Sequence, residues 1–190
     1  VSGGGNELYN FEVAADRVGR HERFEVSFEL SRTYENPYAP SQIEVLGEFT
    51  APSGVVTTVP GFFYQGYERS LDRKEERLIP VGSPKWKVRF APQEVGPYTY
   101  RLIIRDGETL TTSPRQFECV PSSDRGYVRV SSDPRYFEFS DGSFFYPIGH
   151  NIPSTFNVKA AEMLGVTVHM LEGTFAYDRY LDGMAGAGEN

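Results

Sequence analysis

One stretch of this chain alternates strictly between apolar and polar side chains and a second does so but for one position, Ile103, and that period of two limits the fold more than any other feature. Phe24, Val26, Phe28 and Leu30 are interleaved with Glu25, Ser27 and Glu29, and Tyr98, Tyr100, Leu102 and Ile104 surround Thr99 and Arg101, with Arg105 beyond. Successive side chains of a strand point to opposite faces, so each stretch is a strand with one face inward and one toward water. Ile43 and Val45 around Glu44, and Trp86, Val88 and Phe90 around Lys87 and Arg89, repeat the pattern. Asp106-Gly107 is a two-residue hairpin signal before either Thr109 to Thr112 or Gln116 to Val120. Short strands between turn residues, with no helical period before about residue 155, predict an immunoglobulin-like antiparallel β-sandwich over residues 7–121. Val1 to Asn6, rich in Ser and Gly, reads as a flexible terminal lead. Glu68 to Arg77 is dense in charge of both signs and predicts a solvated loop or short helix.

The pattern changes behind Pro121. Pro121-Ser122-Ser123-Asp124 is a linker signal and Asp141-Gly142 a tight turn, so residues 122–142 read as linker and β-hairpin. Phe144-Phe145-Tyr146-Pro147-Ile148-Gly149 is apolar without alternation, as in a strand covered on both faces. Tyr177, Leu181, Met184 and Ala185 fall at i, i+4, i+7 and i+8, an amphipathic helix stripe with Gly188 placed to end it. A buried strand, a loop of some twenty-five residues and a helix, together residues 143–190, form the first β/α unit of a parallel structure.

Composition narrows the function classes. With 39 % hydrophobic and 14 % aromatic residues there is enough apolar surface for a substantial core. A net charge of −7 without a basic stripe argues against nucleic acid. No apolar run reaches the length of a membrane span, and the amino terminus lacks the pattern of an export signal, which is read as already removed. Cys119, the only cysteine, excludes an intramolecular disulfide and reads as a small buried apolar residue. His21 and His169 have no second ligand at metal spacing, so neither a metal nor another cofactor is expected. A nucleophile elbow and a phosphate-cradling glycine loop are absent.

Several motifs in order resemble a known arrangement, the immunoglobulin-like N-terminal domain of unknown function that precedes bacterial (β/α)8 glycoside hydrolases. They are Tyr34-Glu35-Asn36-Pro37-Tyr38, Gly47-Glu48-Phe49, Pro52-Ser53-Gly54, Pro60-Gly61-Phe62-Phe63, Trp86 to Pro92, and Gly96 with Tyr98 and Tyr100. Gly126 to Val130, Tyr136-Phe137, Asp141-Gly142, Pro147 to Asn151 and Tyr177 to Leu181 continue the resemblance through nearly the whole chain. It implies that residues 143–190 are the truncated start of a (β/α)8 barrel, with Gly188-Glu189-Asn190 as the turn toward a second strand. Such a barrel takes about 250 residues, so the strands that hold its carboxylates are expected beyond Asn190. The resemblance further implies a poly- or oligosaccharide substrate, packing of the front module on the catalytic domain, and a secreted, periplasmic or envelope location.

Glycoside hydrolysis needs two carboxyl groups, about 5 Å apart for retention or roughly 6.5–9.5 Å for inversion. No catalytic pair is assigned. Glu162, Glu172, Asp178 and Asp182 follow the first barrel strand, and the helix acids read as solvent-facing, with Asp178 favoured in a first turn by the helix dipole. By the resemblance, His150 and Asn151 end that strand and would position sugar hydroxyls; the plainer alternative is that His150 packs and Asn151 holds a loop. Tyr64 and Tyr67, with Phe62 and Phe63, form a candidate stacking platform, although alternation sends at least half of such a cluster inward. Trp86 is expected inside the sandwich. A carbohydrate-binding module and a structural or adhesion module remain rival uses, since a sandwich serves all three.

Overall fold

The computed structural model describes residues 5–189. Thirteen strands and two helices follow one another among the described residues. The first strands are β1 (Leu8–Val13), β2 (Arg17–Gly19), β3 (Phe24–Leu30), β4 (Glu44–Thr50) and β5 (Val56–Pro60), then the long pair β6 (Phe62–Asp72) and β7 (Glu75–Phe90). After β8 (Gly96–Arg105), β9 (Thr109–Thr111) and β10 (Arg115–Val120) come β11 (Val128–Val130), β12 (Phe137–Phe139) and β13 (Phe144–Phe145), and then α1 (Val158–Leu164) and α2 (Phe175–Gly186). Contacts divide them into two compact units. One comprises the residues up to Gln65, Gly82–Arg129 and Phe139–Ser143; the other comprises Gly66–Val81, Val130–Glu138 and the residues from Phe144 onward.

The first unit is a mainly antiparallel β-sandwich. One sheet runs β1-β3-β7-β6, and the other β2-β10-β8-β4-β5 with β9 beside β8; only the short β2 runs parallel to its neighbour β10. The alternation read from the sequence sets the faces: Phe24, Val26, Phe28 and Leu30 of β3 are buried, as are Tyr98, Tyr100, Leu102 and Ile104 of β8. Register places Phe24 opposite Phe90 within one sheet and Phe49 opposite Tyr100 within the other. Across the sandwich, Phe24 stacks on Phe117 with centroids 4.0 Å apart, and Phe49 stacks on Phe90 at 4.1 Å. Trp86 and Cys119 belong to the same core, as expected. The buried hydroxyl of Tyr98 accepts the backbone N–H groups of Gln93 and Glu94 at 3.3 and 3.0 Å, which removes the cost of hiding it.

Gly47 is inward on β4 because nothing larger fits. A Cβ there would lie 2.5 Å from Val88 Cγ1 and 2.8 Å from Phe49 Cε2. The sheets therefore close over a bare backbone at this point.

The second unit departs from the sequence reading in four places. Glu68 to Arg77 is neither loop nor helix: β6 and β7 continue through it as a hairpin, turning at Arg73 and Lys74 with φ of 50° and 69°. Positive φ at both central residues is the turn geometry that follows strand twist, and here two non-glycine residues adopt it. The apolar run from Phe144 is likewise no doubly covered strand. Phe144 and Phe145 pair antiparallel to β12, and Phe144, Tyr146 and Ile148 are exposed. Pro147 lacks an N–H and restricts Tyr146, so the run cannot extend as a ladder. The expected loop contains a helix, α1, whose Asn157 cap accepts from the Ala160 N–H at 3.1 Å and which ends at Gly165 in the left-handed region. Finally, α2 turns a different face inward: Ala176 and Tyr180 are buried while Leu181 is exposed. The Tyr180 hydroxyl donates to Asn157 O and accepts from Asn157 N, at 3.1 and 3.0 Å, so this face is selected by the cap of α1.

The hairpin's charges are used within this unit. Thr174, the N-cap of α2, makes no side-chain cap of its own; Glu76 instead accepts its N–H at 3.0 Å and its hydroxyl proton. A carboxylate there also faces the positive end of the helix dipole. Arg69 donates to Thr174 Oγ1 and Asp178 Oδ2 at 2.9 and 3.0 Å. Asp178 does lie in the first helical turn. No parallel strand–helix–strand repeat occurs among the described residues. Among the described residues no helix is long and apolar enough to cross a membrane.

Replacing Phe24 by Ala is expected to cost about 3–5 kcal/mol of unfolding free energy. Gly47→Ala is expected to cost about 1–3 kcal/mol through the crowding of Val88 and Phe49. Urea titrations followed by circular dichroism measure both.

Candidate functional site

The sandwich carries a concavity lined by aromatic rings. A cleft of about 460 Å³ opens between β1, the end of β3 and the segment after it, the start of β6 and the middle of β7. Tyr9, Tyr34, Phe63 and Trp86 supply its aromatic walls, and Glu29, Arg32 and Lys85 its charged groups. Trp86 forms the floor, 4 % exposed, with Tyr34 and Phe63 edge-on to it at 6.4 and 5.3 Å; Tyr9 stands at the rim, 45 % exposed.

A polar hub holds one wall. Asp106 Oδ2 accepts from Tyr34 Oη at 2.8 Å, Asn6 Nδ2 at 3.1 Å and Arg32 Nη1 at 3.2 Å. Asn6 Nδ2 also donates to Tyr34 Oη at 2.6 Å, while its own Oδ1 accepts from Ser31 Oγ and the Arg32 N–H. Asn6 is thus buried and fully engaged, which corrects its assignment to a flexible lead; the rest of that lead, up to Gly4, lies outside the described residues. Burial of Asp106 pushes its carboxyl up, but the hydrogen bonds from Tyr34 and Arg32 and the guanidinium charge outweigh this and hold it below the usual carboxylate range. The Tyr34 hydroxyl is driven up by its burial and by the same carboxylate. At neutral pH the hub is therefore one anion clamped by a cation and two neutral donors.

The sequence-derived candidates are distributed differently. Tyr64 belongs to the first unit and Tyr67, His150 and Asn151 to the second, so no site of either unit holds all four. Tyr64 and Tyr67 are both exposed, and Lys87 Nζ lies 4.1 Å above the ring of Tyr64. Phe63 turns toward the core and Phe62 carries the Arg89 guanidinium 4.9 Å above its ring. His150 Nδ1 lies 2.6 Å from Glu189 Oε1, a nearly buried carboxylate whose other oxygen has no hydrogen-bond partner among the described residues. Asn151 is exposed beside it. Asn190, the last residue of the expected turn, lies outside the described residues.

Glu172 is not a solvent-facing acid. It is buried, accepts the His169 N–H at 2.9 Å and is paired with Arg179. Burial raises its carboxyl, and the bonds from Arg179 and the His169 backbone more than reverse that. His169 Nε2 lies 3.0 Å from Lys74 Nζ, which makes that nitrogen the acceptor. No group of three or more potential metal ligands occurs among the described residues. Sequence reasoning missed the cleft because its walls come from four separated segments; the Tyr34 to Tyr38 motif was the one local signal.

Comparison with known proteins agrees with the sandwich. The profile of a domain of unknown function, DUF5060, matches residues 17–105, from the start of β2 to the end of β8. Among solved structures, the chain is similar to one described as a putative glycoside hydrolase from Bacteroides vulgatus ATCC 8482. The TM-score is 0.55 and the identity 22 %, over 79 % of this chain and 25 % of that one. The chain thus spans about a quarter of that structure's length. Weaker similarities are to an alkylpurine DNA glycosylase of Pseudomonas fluorescens (TM-score 0.36, 14 % identity, 60 % of this chain and 30 % of that one) and to the Lin-41 filamin domain (0.33, 11 %, 60 % and 94 %). No curated protein matches.

Because the folded-state carboxyl of Asp106 is depressed, its contribution to stability is present above the unfolded value, near pH 4, and is lost as pH falls through the lower folded value. Asp106→Asn is expected to flatten this acid limb. Thermal melts of both proteins from pH 6 downward measure the difference.

Proposed function

We propose that the chain is the front of a polysaccharide-acting glycoside hydrolase. Residues 7–121 are an immunoglobulin-like accessory sandwich, 122–142 a linker and hairpin, and 143–190 the first strand, loop and helix of a (β/α)8 catalytic domain. The observation that carries this reading is the extent of the likeness to the Bacteroides protein. It covers 79 % of this chain, more than residues 7–121 alone amount to, yet a quarter of that protein. The Tyr98 hydroxyl bonded to backbone four and five residues upstream supports the immunoglobulin-like assignment, since those domains use a tyrosine in that way.

In this reading the exposed side chains of Phe144, Tyr146 and Ile148 are the apolar surface that the remaining barrel covers. His150, held by Glu189, and the exposed Asn151 position sugar hydroxyls, while the catalytic carboxylates come from other strands. The sandwich supports the catalytic cleft by packing on that domain. A polymeric substrate places the protein outside the cytoplasm, secreted or in the envelope.

The test compares this chain with the same chain extended by the coding sequence that follows it. The 190-residue chain is expected to release no reducing sugar from a panel of plant and bacterial polysaccharides, and the extended protein to hydrolyse at least one. In the extended protein, Asn151→Ala is expected to lower kcat/KM by about tenfold or more, the loss of a hydrogen bond to a bound sugar. Absence of hydrolysis across the panel, or an Asn151→Ala protein of full activity, overturns the reading.

A further inference from the structure

We infer that the sandwich cleft is a sugar-binding subsite that takes one neutral pyranose residue, stacked on Tyr9 over the floor made by Trp86. The inference deepens the carbohydrate reading above by naming a site and a ligand class, and it rests on that reading only for the choice of polysaccharides as probes.

Three features of the cleft carry it. Its volume of about 460 Å³ lies within the range of small-ligand sites, and its lining joins aromatic rings to a few polar groups, the combination such sites use. A pyranose presents apolar C–H faces and polar hydroxyl edges, so it needs a ring to lie on and hydrogen-bonding groups around it. Tyr9 offers an exposed ring, Glu29 an acceptor and Lys85 a donor. The wall is also set before any ligand arrives. Tyr34 and Arg32 are fixed by Asp106, whose side chain is 3 % exposed, so little side-chain freedom remains to be lost on binding.

Charge selects the class. Arg32 is paired with Asp106 and Glu108, and Lys85 with Glu12. Glu29 adds another carboxylate and accepts from Asn10 Nδ2 at 2.9 Å. Both cations of the lining are thus already paired with carboxylates and Glu29 is negative, which disfavours uronates and sulfated sugars and leaves neutral hexoses and pentoses.

Trp86 is the only tryptophan of the chain and lies on the cleft floor, so its emission reports occupancy of this site. The 190-residue protein is titrated with cellohexaose, xylohexaose, mannohexaose, laminarihexaose and, as the anionic arm, hexagalacturonate, with selective tryptophan excitation and affinity electrophoresis in gels of the parent polymers. A saturable emission change with at least one neutral oligosaccharide is expected, and none with hexagalacturonate. Tyr9→Ala is expected to weaken binding about tenfold, Tyr9→Phe to retain it, and Tyr67→Ala to leave it unchanged. Tyr9 is exposed on the edge strand β1, so a melt that matches the parent verifies that the variant folds. No emission change with any probe, preference for the galacturonate, or retardation insensitive to Tyr9→Ala overturns the inference. Each of these results leaves the hydrolase reading to its own test, because the accessory sandwich would still pack on an active catalytic domain.

Discussion

The stack of aromatic rings between the two sheets is the contact on which the rest of the sandwich depends. Phe24 lies flat on Phe117 and meets Phe49 and Tyr100 edge-on, while Phe49 stacks in turn on Phe90. These rings come from both sheets, so they set the separation of the sheets as well as burying area. Aromatic pairs add about 0.5–1.5 kcal/mol each beyond that burial. Gly47 lets the layers come close enough for the stack to form. With the sheets fixed, the rim of each strand is fixed too, and the cleft is built on that rim.

The cleft wall depends on a second kind of interaction. Asp106 comes from the turn after β8, Tyr34 and Arg32 from the segment after β3, and Asn6 from the residues before β1. A buried carboxylate without partners would be costly, and three donors converging on one oxygen remove that cost. The same bonds tie three loops together at one end of the sandwich. A site wall made in this way is rigid because each member satisfies another.

The second unit has a different balance. Its core is small, made of Ala160, Ala161, Ala176 and Tyr180 with a few half-buried neighbours. Polar contacts therefore carry more of its organisation: Glu76 caps α2, Glu172 bonds the His169 backbone and pairs with Arg179, and Tyr180 clamps the cap of α1. The charged stretch from Glu68 to Arg77 has a structural use here that neither its charge density nor its mixed sign could convey.

The sequence by itself determined the sandwich. Alternation in β3, β4 and β8 named the buried faces, turn residues marked strand ends, and Trp86 and Cys119 were legible as core, because a period of two is a property of one strand alone. Tertiary structure decided what depends on groups far apart in the chain. Phe144 to Ile148 reads as a buried strand only if partners exist on both faces, and Pro147 with a nearby antiparallel neighbour gave another outcome. The inward face of α2 was chosen by Asn157, and the cleft by Tyr9, Tyr34, Phe63 and Trp86 meeting across four segments. Local periodicity records which way a side chain faces, whereas a site requires several chain segments to arrive at one place, and only packing brings them there.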